Sequence, residues 1–397
     1  MPAVLAHTPA QWRTYVSIIC GVSVSLLVAV AALNYHVDPY LIHQWDTEKV
    51  QQLRPARERL SAWGKTYALA RFQPEVVYLG NSRTELGLPS RSAQFGGRTV
   101  FNAALSGASL GDAIAMARHA VMVGPPTTVV WGIDAPSFTL EAGNTEFDRA
   151  LVANDRWYLL RRRLIDIGRA LTVDMTLDSV RLLQGSYGAV CHSSLALYGQ
   201  RDAACVRDRI DGWGGTRAAI VPRIREFIRG AGPASDAMTA FAASIAQLCE
   251  HRVQLRVYLN PTHAMTIDAL HQAGKGAAMA HWQQQLAVLF AGQRGRGCDA
   301  RVYDFSGFNS VTTEVIPQLG GFEEMRYYWE TSHYRLNVGS MILARMFGQG
   351  SAPDDFGVEL EPATLAAQQA RQQSARALYH REQAQAAAMV KALVVSR

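Results

Sequence analysis

Cysteine is scarce in this sequence, with 5 among 397 residues, and no CxxC pair occurs. The spacing from which zinc clusters and dithiol redox sites are built is therefore missing. The histidines near Cys249 also lack zinc-ligand spacing, so no metal and no cofactor is expected. Charge of one sign is scarce too. The formal net charge of +6 is mild for this length, and the densest basic run is Arg161-Arg162-Arg163. That triplet lies in an amphipathic stretch and reads as a solvated helix face, so nucleic acid is not an expected partner. No internal repeat is visible, which sets repeat arrays aside. Long apolar runs are limited to one, near the start of the chain, so more than one helical membrane crossing is not expected.

That one run covers residues 16–33, where no residue is charged and Val, Ile, Leu and Ala dominate. At about 1.5 Å per residue it nearly crosses a hydrocarbon core of about 30 Å. Arg13 precedes it, and Trp12, Tyr15, Tyr35 and Tyr40 flank it. This predicts a cytoplasmic segment over 1–13, a transmembrane helix over 14–35 and export of the remainder. A cleaved signal peptide competes, because Ala29-Val30-Ala31 resembles a cleavage site. The run is longer than a signal core of about 7–15 residues, which favours an uncleaved anchor. Cys20 falls inside this helix. The remaining cysteines, Cys191, Cys205, Cys249 and Cys298, are even in number, which in an oxidising compartment suggests two disulfides. Cys191 and Cys205 bracket a polar loop. Cys249 and Cys298 each precede an expected strand and could meet at one sheet edge. Sequence alone does not decide the connectivity.

Hydrophobic residues make up 49% of the chain, enough to bury a large core. Residues 36–73 read as a polar stalk with a helix. Short apolar runs follow at 75–80 (EVVYLG), 99–105 (TVFNAAL), 127–134 (TTVVWGID), 253–260 (VQLRVYLN) and 301–306 (RVYDFS). Continuous apolar strands separated by helical stretches predict an α/β fold, a parallel sheet of about five strands flanked by helices. Residues 110–123 and 235–249 suit crossover helices. The α/β domain is expected over 74–347, as one enlarged domain rather than two small ones. More than a hundred residues separate the third and fourth strands, which predicts a helical insertion over about 147–216, read as a lid on the sheet. Residues 348–397 read as a helical tail.

Three clusters carry chemistry. The first strand ends in Gly80-Asn81-Ser82-Arg83, placing a serine where parallel sheets bind ligands, with Arg83 beside it on the substrate side. A following helix would aim its first N–H groups at the reaction centre. A plain helix cap is the alternative use of such a serine. The second strand runs from Asn102 into Ser106-Gly107, where a glycine lets a backbone N–H approach a substrate. The third cluster is Tyr327-Tyr328-Trp329-Glu330-Thr331-Ser332-His333. His333 can take a proton from Ser82 while Glu330 orients it. Asp304, at the end of the fifth strand, competes with Glu330 for that role. Asn260 is a candidate oxyanion donor, and His263 a candidate substrate contact or a structural turn residue. Trp329 and its neighbouring tyrosines suit either a sugar platform or core packing.

Together these clusters resemble the SGNH (GDSL-type) hydrolase superfamily. Gly80-Asn81-Ser82 resembles its first block, with Asn81 in place of Asp. Asn102 through Gly107 resembles the second, whose glycine N–H belongs to the oxyanion hole. Glu330 to His333 resembles the terminal Asp-x-x-His block, with Glu for Asp. The third block departs: Gly132-Ile133-Asp134 stands where Gly-x-Asn-Asp is usual. With the N-terminal anchor, the set is similar to the membrane-anchored, extracytoplasmic branch of the superfamily, which includes alginate O-acetylation proteins and the D-alanine transfer protein. The resemblance implies a three-layer SGNH-like domain on the periplasmic side of a bacterial inner membrane. It also implies serine acyl-ester chemistry, O-acetyl transfer or hydrolysis, on an exopolysaccharide or envelope glycan, alongside other membrane proteins of polysaccharide assembly. A non-catalytic component of such an assembly is the alternative.

Overall fold

A computed structural model of the chain describes residues 8–43, 60–155, 157–185, 193–230, 232–317 and 324–395. The chain divides into two compact units, residues 1–59 with 156–189 and residues 60–155 with 190–397.

The first unit is built on α1 (Pro9–Val37). Thr8 caps it in a reciprocal box with Gln11, Pro9 occupies its first turn, and Asp38 closes it in the left-handed conformation. Among the described residues, α1 is the one helix long and apolar enough to cross a membrane. Its free cysteine, Cys20, is exposed. Against its last turns pack two further helices, α5 (Tyr158–Ala170) and α6 (Val173–Leu183). The 147–216 stretch, expected to be one insertion over the sheet, is thus divided. Residues 157–185 group with α1, and residues 193–216 belong to the second unit.

The second unit is a mixed α/β fold around a six-stranded sheet. Its strands are β1 (Val76–Leu79), β2 (Val100–Asn102), β3 (Thr128–Ile133), β4 (Gln254–Leu259), β5 (Ala300–Asp304) and β6 (Val358–Glu359). Their order is β2-β1-β3-β4-β5-β6, parallel throughout except for β6, which runs antiparallel to β5. The five apolar runs became the five parallel strands; β1 and β3, covered on both faces, permit no alternation of polar residues, while β5 exposes Arg301. All four residues of β1 are buried, as are all six of β3.

One face is packed by α4 (Leu110–Val123) and α9 (Ser235–Glu250), with α2 (Ala62–Phe72) against α4. Trp131, Phe138, Phe241 and Trp282 interlock there edge to face, with Phe290 tilted against Phe241. The other face carries Tyr78, Val130 and Tyr258 against Val338, Ile342 and Leu343 of α12 (Leu336–Phe347). Each such side chain contributes about 1.5–3 kcal/mol when fully buried.

A disulfide joins Cys249 to Cys298, tying the end of α9 to the entrance of β5. The other anticipated pair involves Cys191, which lies outside the described residues. The expected tail is partly core: β6 extends the sheet by pairing Val358 with Asp304. Phe356 and Leu360, on either side of β6, are fully buried. Beyond it run α13 (Leu365–Glu382) and α14 (Ala384–Val395). The described residues hold fourteen α-helices in all.

Candidate active site

The site begins at the turn between β1 and α3 (Ser82–Gly87). Gly80 has a φ of +142°, and a Cβ there would lie 2.5 Å from Thr84 Oγ1 and 2.8 Å from the Gly132 carbonyl. No other residue fits so tight a turn. Asn81 caps α3 by accepting the Arg83 N–H at 3.1 Å. Ser82 is thereby the first helical residue, and its own N–H has no carbonyl partner within the helix.

His333 is presented by a tight loop. Tyr328 and Tyr334 bridge in antiparallel fashion, and Trp329 N–H donates to the His333 carbonyl at 2.9 Å. His333 Nε2 lies 2.8 Å from Ser82 Oγ. Its Nδ1 bonds Glu330 Oε1, and Glu330 also accepts the Ser332 N–H at 2.6 Å. A buried hydroxyl chain pins this loop to the serine's helix. Tyr334 OH lies 2.9 Å from Tyr258 OH, which lies 2.9 Å from Thr84 Oγ1.

Burial works against ionisation of both Glu330 and His333. For Glu330, His333, the Arg223 charge and the Ser332 N–H outweigh it and hold the carboxyl below its usual range. For His333, burial outweighs the pull of Glu330, and Arg223 and Arg83 add to the lowering. The balance holds the imidazole below its ordinary pKa range, the direction that favours the neutral ring.

Asp134 ties the serine's turn to the end of β3. Its carboxylate accepts from Asn81 Nδ2 at 2.6 Å, from Arg83 Nη1 at 2.8 Å and from Ser137 Oγ at 2.8 Å. The amide at 81 and the acid at 134 are complementary, donor to acceptor. Arg83 also lies over the Phe227 ring at 4.6 Å. The Asn81 amide and the Arg83 guanidinium are thus both bound within this network.

Two adjoining cavities, of about 260 and about 240 Å³, share Ser82, Gly107, Arg223, Glu226 and His333 in their walls. Gly107 has a φ of +73°, and its N–H makes no hydrogen bond among the described residues, as is also true of Ser82 N–H. Both are open to an incoming oxygen. Arg83 lines the larger cavity and Glu330 the smaller, whereas Asn102, Asn260, His263, Trp329 and Asp304 line neither. Asn102 donates to the Thr84 and Glu85 carbonyls and accepts Ala104 N–H, bracing the end of β2. Asn260 reaches the Ile133 carbonyl at 3.2 Å. His263 caps α10 (Ala264–Gln272) by accepting Met265 N–H, and its Nε2 bonds the Glu314 carbonyl at 2.8 Å. Burial lowers its pKa to about 4. Trp329 is half-buried, with the Arg335 guanidinium 4.0 Å above its ring. Asp304 is bound to Ser306 and Gln283 in a separate cavity of about 500 Å³.

Two features were not anticipated. Lys65 Nζ lies 2.8 Å from Glu85 Oε1, both fully buried, and Glu85 also accepts from Ser106 and Ser193 at 2.5 Å each. This pair anchors the Ser106-Gly107 turn. Arg201, Arg209 and Arg223 all line the smaller cavity. None of the three was singled out from the sequence. Among the described residues, no group of three or more His, Cys, Asp or Glu is placed to hold a metal ion. No protein-family model matches the chain, and no curated protein matches its sequence.

Proposed function

We propose that this chain is a serine acyl-ester enzyme of the SGNH type, an O-acetyltransferase or acetylesterase acting on an extracytoplasmic glycan. The observation that carries the reading is His333 held between Ser82 Oγ at 2.8 Å and the Glu330 carboxylate. In this mechanism His333 takes the Ser82 proton as Oγ attacks the acyl carbonyl. The tetrahedral oxyanion is received by the Ser82 and Gly107 N–H groups. His333 then passes the proton to the departing alcohol, leaving an acyl-serine. A sugar hydroxyl or water, activated by the same imidazole, resolves it. Glu330 fixes the ring's tautomer and stabilises the imidazolium.

Support for the superfamily comes from position: the serine follows the second strand in spatial order, and acid and base come from one loop near the end of the domain. Arg201, Arg209 and Arg223 favour an acidic glycan. Arg223 is paired with Glu226 at 2.9 Å and Arg201 approaches Glu85 at 3.9 Å, whereas Arg209 has no ion pair among the described residues. Burial, Arg201 and Arg223 together lower the Arg209 pKa, the mark of crowded cations. The apolar α1 supports a membrane anchor, and the disulfide supports an oxidising compartment.

The test is turnover of an aryl acetate and of O-acetylated acidic and neutral oligosaccharides by the full chain. Turnover with preference for the acidic substrate is expected. Absence of both turnover and serine labelling would return the chain to a non-catalytic role in polysaccharide assembly.

A further inference from the structure

The hairpin formed by α5 and α6 breaks the ordinary rule for surface helices. On α5 the side chains Leu160, Leu164 and Ile167, with Leu171 at its C-cap, are all exposed, and they recur at helical spacing along one stripe. On α6, Val173, Leu177 and Val180 do the same. Leu164 is 62% exposed, Ile167 61% and Val173 73%, values at which a soluble helix carries polar residues. Contiguous apolar surface of this kind calls for a covering partner.

The place of the hairpin says what covers it. Asn34, at the end of the apolar stretch of α1, is fully buried. Its amide donates to the Ala170 carbonyl and Thr176 Oγ1, both at 2.9 Å, and its oxygen accepts from Ser179 Oγ at 2.8 Å. Tyr40 OH donates to Asp178 at 2.9 Å, and Val37 packs with Leu182. The turn between the helices therefore lies level with the last residues of the apolar span, and α6 runs beside the end of α1. Over residues 157–183 there are five arginines against three aspartates. That balance suits anionic headgroups.

We infer that the α5–α6 hairpin is a membrane-interface element, seated in the leaflet at the carboxyl end of α1, with Leu164, Ile167, Leu171 and Val173 among the acyl chains. The inference rests on α1 spanning a bilayer. Its occupant is lipid, rather than a second copy of the chain. The arrangement gives the anchor a second contact with the membrane and limits tilting of α1.

The full chain, reconstituted at one copy per nanodisc with mixed neutral and anionic lipids, would be irradiated with a lipid-borne diazirine and mapped by mass spectrometry. Label is expected on α1 and on peptides covering 158–183, with none on 235–250 of the sheet domain. Ile167→Glu with Val173→Glu should lose the hairpin label while that on α1 persists. Label on α1 alone in the wild type overturns the hairpin assignment. It would also point to a protein partner if crosslinking between copies appeared at higher loading. Absence of label from α1 as well would mean that the membrane reading itself fails.

Discussion

Glu330 and Asp304 are both buried carboxylates on the side of the sheet where the parallel strands end, and their surroundings drive them apart. Glu330 faces His333, the Arg223 charge and a backbone N–H, and is held ionised against burial. Asp304 faces Ser306 and Gln283, which do not outweigh burial, and its pKa is raised. Position at a strand end is therefore not enough to make an acid useful for proton transfer. What distinguishes the two is an imidazole in contact with Glu330 alone, which the proposed mechanism would make cationic during reaction.

The comparison can be broken in several places. The largest effect is expected at the shared centre. Ser82→Ala should reduce ester turnover by about five to six orders of magnitude with the fold intact, read by aryl-acetate kinetics and circular dichroism. Next comes Glu330→Gln, which keeps shape but removes the charge facing the imidazolium. A loss of about two to four orders of magnitude in kcat is expected. Removing the Cys249–Cys298 disulfide by paired serine substitution perturbs the strand that carries Asp304. It should lower stability by about 2–4 kcal/mol in denaturant titration while turnover per folded molecule stays near wild type.

The pH profile sharpens the contrast further. His333 must be neutral to accept a proton, and burial lowers its pKa, so kcat/KM should rise with pH through a midpoint below about 6.5. Arg223→Gln removes a charge that lowers the His333 pKa, so the acid limb should move to higher pH. The smallest effect is expected at Asp304→Asn, with turnover close to wild type. A large loss there, with Glu330→Gln nearly silent, would reverse the assignment of the two acids.

The sheet was legible because strands buried on both faces leave unbroken apolar runs, as in residues 76–79 and 128–133. Cys249 and Cys298 could be related because both stand just before strands that proved adjacent. β6 was not legible: two residues carry no periodicity, and only pairing with β5 makes them a strand. The division of residues 147–216 was hidden because the contacts of α5 and α6 are with residues far earlier in the chain, Asn34 and Tyr40. Ser82, Glu330 and His333 could be proposed from motif spacing, since a turn after a strand and a short i, i+3 step are local features. Asn102, Asn260 and His263 were proposed by residue type; in the structure Asn102 and His263 bond backbone groups, and Asn260 bonds the Ile133 carbonyl and the Asp134 carboxylate. Lys65–Glu85 and Asp134–Arg83 left no trace in sequence, because a buried ion pair is defined by its partner and not by its neighbours.

The central claim is that His333 activates Ser82 as a nucleophile. Intact-mass analysis after treatment with a serine-directed fluorophosphonate, followed by peptide mapping, tests it most directly. One adduct is predicted, on Ser82, at a rate that collapses in the His333→Ala protein while the fold persists. A wild-type chain that remains unlabelled, or that carries the adduct elsewhere with Ser82 free, would contradict it.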